Sequence, residues 1–333
     1  MKKKTEKTEL MAVDKSVVEL FQEEELRNNS QKTSLSYIPS FFTTASLPFK
    51  NIHKPLFIRK GSNGVTLILQ SPITVPFGKY GRLLLTVLCS HAVLSAEKDV
   101  PVTISYNTLA DLLKELQLPK QRGTEVREQL QYFSNAQFMF EQKVKSSQAG
   151  YLFKDLYADG DYPKEDVQVT TYRTANIRFT NGVQFEEIED GSGENKYGHF
   201  KIYLSAEFAS FCQAHAVPID YTAYKEINSP VGKDLYAWLV YRNNGIKADD
   251  PPFIPRQKLV EQFMPVAENS ASHAKIESNN YNKIISLIRE IKEKYYPELR
   301  VGIDPQGAGI TLYKSPTPVL QNDTRYALIT AEI

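Results

Sequence analysis

Twice along this chain, three segments of helical periodicity are followed by two segments in which apolar and polar residues alternate. That order predicts an α+β fold made of two winged-helix domains in tandem. Length agrees, since 333 residues correspond to about two domains at roughly 150 residues each. The expected boundaries are a mobile N-terminal tail over 1–45, a first winged-helix domain over 46–205 with an acidic insertion at 151–197 in its wing, a second over 206–320, and a C-terminal tail over 321–333.

The charges nearly cancel, 40 Lys+Arg against 39 Asp+Glu, which argues against an acidic tail protein or a histone-like coat. Residues 1–40 are mostly charged and polar, with one weak amphipathic run (Val17, Val18, Leu20, Phe21) behind Asp14. Thr5 to Asp14 supply no apolar core for a secretory signal. The most apolar stretch, Leu83 to Leu94, is about a dozen residues long, short of the ~20 that span a bilayer. A cytoplasmic protein without membrane contact is expected. Cys89 and Cys212 lie in separate apolar segments and read as reduced, buried thiols.

Leu56-Phe57-Ile58 and Val65 to Leu69 flank Gly61-Ser62-Asn63-Gly64, a hairpin signal. Arg82 to Leu94 is apolar nearly all round and predicts a central helix, with His91 as a core or helix-end histidine. A second helix is expected after Ser105, through Tyr106, Leu109, Leu112, Leu113 and Leu116, ending before Pro119. The third carries Val126, Leu130 and Phe133 on one face. Gln137 to Lys143 and Gly198 to Leu204 then read as a two-stranded ribbon. Between them, residues 151–197 hold ten acids against five bases, so the rest of the chain is net positive. A polar insertion contributes little burial, so its deletion is expected to leave both cores folded.

The second half repeats the order. Asp234 to Arg242 predicts a core helix, Arg256 to Phe263 a short one, and a third from about Asn279 to Tyr295 is marked by Tyr281, Ile284, Ile285, Ile288 and Ile291 and stopped by Pro297. Leu299 to Ile303 and Gly309 to Tyr313 flank a hairpin tip.

Catalytic signatures are missing from the sequence. Gly78-Lys79-Tyr80-Gly81 is too short for a phosphate loop, the five histidines form no HxH or HExxH pair, and two lone cysteines give no zinc spacing. No enzyme activity, cofactor or metal is expected.

A groove-reading helix needs apolar residues inside and long polar donors outside. At about 100° per residue, the face opposite Ile284, Ile288 and Tyr295 carries Asn279, Asn282, Lys283, Ser286, Glu290 and Glu293, with Arg289 at its border. Asn279, Asn282, Lys283, Ser286 and Arg289 are the base-reading candidates. On the third helix of the first half the outward residues Thr124, Arg127 and Gln131 follow Lys120 and Arg122, although Glu128 among them would repel phosphate. Arg256, Lys258, Arg300 and Lys314 are the candidate phosphate contacts, with Arg242 and Lys247 nearby.

Phe77-Gly78-Lys79-Tyr80-Gly81-Arg82-Leu83-Leu84-Leu85, followed by Thr103 to Leu118, resembles the opening of the plasmid-encoded RepA replication initiators. Tyr203 to Phe208, Val217-Pro218-Ile219-Asp220, Ser229-Pro230, Asp234-Leu235-Tyr236-Ala237-Trp238-Leu239, Tyr241-Arg242, Leu259 to Phe263 and Tyr296-Pro297 extend the resemblance over roughly 75–320. Met264 stands where that family commonly has Gly, and Pro265 to Ala274 replace a tighter turn. The resemblance implies a protein that binds double-stranded DNA at repeated plasmid origin sites (iterons), helps open the duplex, and recruits host replication proteins including the replicative helicase. It also implies a homodimer held through the first domain. The residues themselves leave two other readings open: a tandem winged-helix transcription repressor, and a protein-interaction scaffold that binds no DNA.

Overall fold

The computed structural model describes residues 35–62, 65–145, 170–189, 195–266 and 272–319, and Ser36–Val319 form one compact unit. The amphipathic run at 17–25, the C-terminal tail and residues 151–169 of the acidic segment lie outside the described residues.

The expected tail is shorter than 1–45. Strand β1 (Leu35–Pro39) pairs with β9 (Ala216–Asp220), and a helical turn, α1 (Ser40–Thr44), follows it. Tyr37, Ile38, Phe42, Ala45 and Leu47 are almost inaccessible. The charge of the residues before them masks this short apolar run.

Strands β2 (Leu56–Lys60) and β3 (Val65–Gln70) form the predicted hairpin. Its partners are β5 (Gln137–Lys145) and β6 (Thr170–Arg178), giving an antiparallel sheet in the order β2-β3-β5-β6. Leu67 faces Phe140, and Phe138 stands between Leu69 and Ile177. All five are buried, so this face closes a core.

The remaining strands of the first half form a second sheet. Helix α2 (Gly78–Leu94) leads to β4 (Val102–Tyr106), α3 (Leu109–Glu115), α4 (Gly123–Asn135), then β7 (Thr180–Glu189) and β8 (Asn195–Leu204), with sheet order β4-β8-β7. Three expectations are corrected here. The segments at 137–143 and 198–204 do not pair with each other: β5 joins β3 and β6, whereas β8 joins β4 and β7. Ser105 lies in a strand, because Val102, Ile104 and Tyr106 alternate with period two and point inward. The helix begins after Thr108, which forms a capping box with Asp111. Lastly, the acidic segment contributes β6 and β7, with Ile177 and Phe179 buried, so it is not a dispensable polar insertion.

Helix α5 (Ala206–His215), capped by Ser205, packs on α2 and sends Phe208 and Phe211 against Phe138. Cys89 and Cys212 are free, fully buried thiols, and burial pushes the Cys212 thiol up. His91 closes α2 as a half-exposed helix-end residue, its Nε2 2.9 Å from Glu115 Oε1.

In the second half, α6 (Tyr221–Glu226) precedes α7 (Pro230–Asn244), whose Ser229 cap and Pro230 at the first helical position are strong start signals. Then come β10 (Phe253–Pro255), α8 (Arg256–Phe263), α9 (His273–Glu290, prolonged by a π-turn to Tyr295), β11 (Val301–Ile303) and β12 (Gly309–Leu312). The sheet order is β10-β12-β11. Both halves therefore share one sequence of elements, α-β-α-α-β-β, and one sheet order, in which the last strand lies between the first and the middle one. The first half differs by the β5–β6 excursion between its third helix and its last two strands.

A buried ionic centre joins the halves. Arg82 of α2 grips Asp234 of α7 with two bonds, Nε to Oδ1 at 2.6 Å and Nη2 to Oδ2 at 2.8 Å. The two side chains are 1% and 4% exposed. The spare guanidinium protons go to the carbonyls of Leu47, Pro48 and Gly78, while Ser46 Oγ donates to Asp234 at 2.5 Å. Arg59 reaches Ser46 Oγ at 3.2 Å and stacks on Phe49. Positive charge is thus in excess around one carboxylate.

The residue before Asp234, Lys233, responds to that excess. Fully buried, it donates to the carbonyls of Tyr224 and Lys225 at the end of α6. Burial, then Arg82 and Lys79, pull its pKa down to about 7. In the unfolded chain a lysine titrates near ~10.4, so between these values the native state binds fewer protons and stability rises with pH. We expect unfolding free energy to increase from pH 7 to 9 with a slope of up to about 1.4 kcal/mol per pH unit, and Lys233→Met to flatten it. Denaturant titrations at four pH values check this; equal slopes in the two proteins would refute it.

Candidate nucleic-acid interface

Helix α9 is held on three sides by contacts that determine which face looks outward. Its inner stripe of Tyr281, Ile284, Ile285 and Ile288 is buried at helical spacing. Tyr281 OH donates to Gly309 O at 3.1 Å, and Asn280 Nδ2 donates to Met264 O at 2.8 Å. Gly309 has to be glycine, since a Cβ there would meet Ile254 O at 2.2 Å where β10 and β12 close on each other. Glu277 pairs with Arg256 at 3.1 Å.

What remains outward is the predicted reading face. Asn279, Asn282, Lys283, Ser286 and Arg289 are all exposed, and among the described residues none bonds or pairs through its side chain. The helix also begins six residues earlier than the periodicity of its buried stripe suggests. That extension adds Lys275 and Ile276, which sequence reasoning missed because no apolar stripe marks it. From Ser272 to Arg289 the exposed charges are Lys275, Lys283 and Arg289, while the one acid is held by Arg256. The helix N-terminus adds partial positive charge.

The corresponding helix of the first half is more occupied. Lys120, Thr124 and Gln131 are exposed. Arg122 pairs with Glu125 at 2.8 Å, and that hydrogen bond holds the Glu125 carboxyl below its usual value. Arg127 is half-buried, its guanidinium 5.4 Å above the Phe185 ring of β7, so it fastens the sheet to α4 and does not stand free as a groove donor. Exposed Glu128 lies on the same helix.

The nominated phosphate contacts also divide. Arg300 is exposed and its side chain makes no bond among the described residues. Arg256 is engaged with Glu277 and stacks 5.2 Å over Tyr281, Lys258 pairs with Glu261 at 3.0 Å, and Lys314 Nζ donates to Asn243 O at 2.8 Å near the end of α7. Arg256 and Lys314 thus position α9 and the strand end before they can meet any ligand, whereas the Lys258 pair is exposed on the surface of α8.

No family model and no curated protein matches the chain. Among solved structures it is similar to a selenomethionine form of domains 2 and 3 of RctB, at 11% identity and TM-score 0.45, covering 83% of this chain and 98% of that one. A second crystal structure of RctB domains 2–3 gives 12% identity, TM-score 0.43, and coverage of 86% and 97%. The Pi initiator protein in complex with iteron DNA gives 12% identity, TM-score 0.37, and coverage of 70% and 91%. Likenesses at this level do not decide what the chain binds, so any functional reading has to rest on its own residues. Among the described residues, no helix is long and apolar enough to cross a membrane.

Proposed function

We propose that the chain is a non-enzymatic initiator of plasmid replication that binds repeated sites at its origin in double-stranded DNA. On this reading each α-β-α-α-β-β half is a winged helix, and α9 is the helix that enters the major groove. The observation that carries it is the outward face of α9: amides, a hydroxyl and cations at helical spacing, with no bonds to the rest of the described chain and no free acid before Glu290. Such a face has no internal bonds to break before it meets a ligand and matches the donor and acceptor pattern of base edges. The sequence resemblance to RepA initiators supplies the step from binding to initiation, including origin opening, recruitment of the host helicase and a homodimer through the first half. Because α4 is tied by its own acids and by Phe185, α9 dominates the base reading.

Footprinting on the DNA flanking its own gene, at two salt concentrations and against excess random competitor, tests the reading. Protection at regularly spaced direct repeats is expected, weakening with salt as counterions are released. Lys283→Ala and Arg289→Ala should each lose about 1–3 kcal/mol of specific binding and keep their weak binding to scrambled DNA. Protection of a single inverted repeat would favour a repressor, and no protection at either salt would remove DNA from the account.

A further inference from the structure

Ile276 is the one large apolar side chain that α9 exposes, at 37%. The buried stripe is complete without it, and an exposed isoleucine is a weaker helix former than the Lys, Glu or Gln that surface positions usually carry. It stands on the first turn, and Asn279 and Lys283 follow it at i+3 and i+7 on the same outward row. A helix that docks in the major groove contacts base edges with its N-terminal residues. The one apolar group that the major groove displays is the C5-methyl of thymine.

We infer that Ile276 is a specificity-determining residue that packs on a thymine C5-methyl, beside the base edge that Asn279 contacts. The occupant is DNA, because the exposed face around Ile276 is cationic through Lys275 and Lys283, and the one acid of α9 before Glu290, Glu277, is turned to Arg256. The inference rests on the proposed DNA-binding role of α9 and adds the base chemistry that one position reads.

The test starts from a duplex selected from random sequence by the full-length chain. Each thymine in it is replaced singly by deoxyuridine, which removes the methyl and keeps every hydrogen-bonding group. At one position wild-type binding should weaken about four-fold, the weight of one buried methyl group. Ile276→Ala should bind the thymine duplex about as weakly as wild type binds that uracil duplex and should no longer distinguish the two, whereas Ile276→Val should still distinguish them. Uniform indifference to uracil, or discrimination that survives in Ile276→Ala, would overturn the assignment while DNA binding by α9 stands. Failure to select any duplex would overturn both readings. Ile276 is exposed, and a melting curve matching wild type shows that the variant is folded.

Discussion

Asp234→Ala is expected to lower the unfolding free energy by about 3–5 kcal/mol, the cost of leaving one member of a buried ion pair uncompensated. The Arg82 guanidinium would keep its bonds to the carbonyls of Leu47, Pro48 and Gly78 but lose both carboxylate oxygens, in a site from which water is excluded. Arg59 lies close enough for Asp234 to offset part of its own burial, so two cations would share a site with no anion. A pair of this kind is weak evidence of net stabilisation. Replacing both partners by apolar residues of similar volume, Arg82→Met with Asp234→Leu, should therefore recover much of the loss. The recovery separates an unpaired-charge penalty from simple loss of packing. Urea titrations of the three variants decide it: a single-variant loss under about 1 kcal/mol, or a double variant no better than the single, would contradict this account. Because Arg82 belongs to α2 and Asp234 to α7, the single variant should also separate the unfolding of the two halves, read as fluorescence and circular dichroism transitions that no longer coincide.

That pair also shows what the sequence can and cannot convey. Both residues stand in the stretches that resemble the RepA family, yet 152 positions separate them and no local pattern links them. Helices α2, α7 and α8 and the hairpins β2–β3 and β11–β12 were legible because periodicity and turn residues are local signals. The partner of a strand is not: β5 and β8 both alternate correctly, but pairing depends on contacts far along the chain, and β5 lies beside β3 and β6. Charge counting hid β6 and β7, whose Ile177, Val183 and Phe185 would have marked strands had the acids around them been discounted. For the candidate interface, the outward row Asn279, Asn282, Lys283, Ser286 and Arg289 follows from helical geometry alone. The occupied state of Arg256 and Lys314 does not, since their partners Glu277 and Asn243 are 21 and 71 residues away.

Phe179→Ala should cost about 3–5 kcal/mol, as expected for truncating a buried phenylalanine whose cavity cannot fully collapse. Phe179 joins β6 to β7, within the segment whose charge suggests a solvated loop, and it is 0% exposed. Its ring lies 4.6 Å from Phe138, 4.8 Å from Phe133, 5.4 Å from Phe208 and 6.0 Å from Phe42. These partners come from β5, α4, α5 and α1, so one side chain fastens both sheets of the first half to three helices. Few neighbours can move into the gap, because the rings of Phe42, Phe138 and Phe208 also hold one another. Deletion of 151–197 removes this ring together with all of β6 and β7 and the first residues of β8, and the first half should then lose its cooperative melt, contrary to what the charge pattern suggests. Thermal unfolding followed by near-ultraviolet dichroism measures both changes. A Phe179→Ala variant within about 1 kcal/mol of wild type would mean that the aromatic cluster is not the core of this half. The T-shaped contact with Phe133 carries the effect to α4, whose outward residues Thr124 and Gln131 lose their fixed support, whereas α9 rests on α8 and β12 and should keep its exposed polar face. DNA binding that persists in Phe179→Ala, at temperatures where its first half has loosened, would accordingly assign base reading to α9.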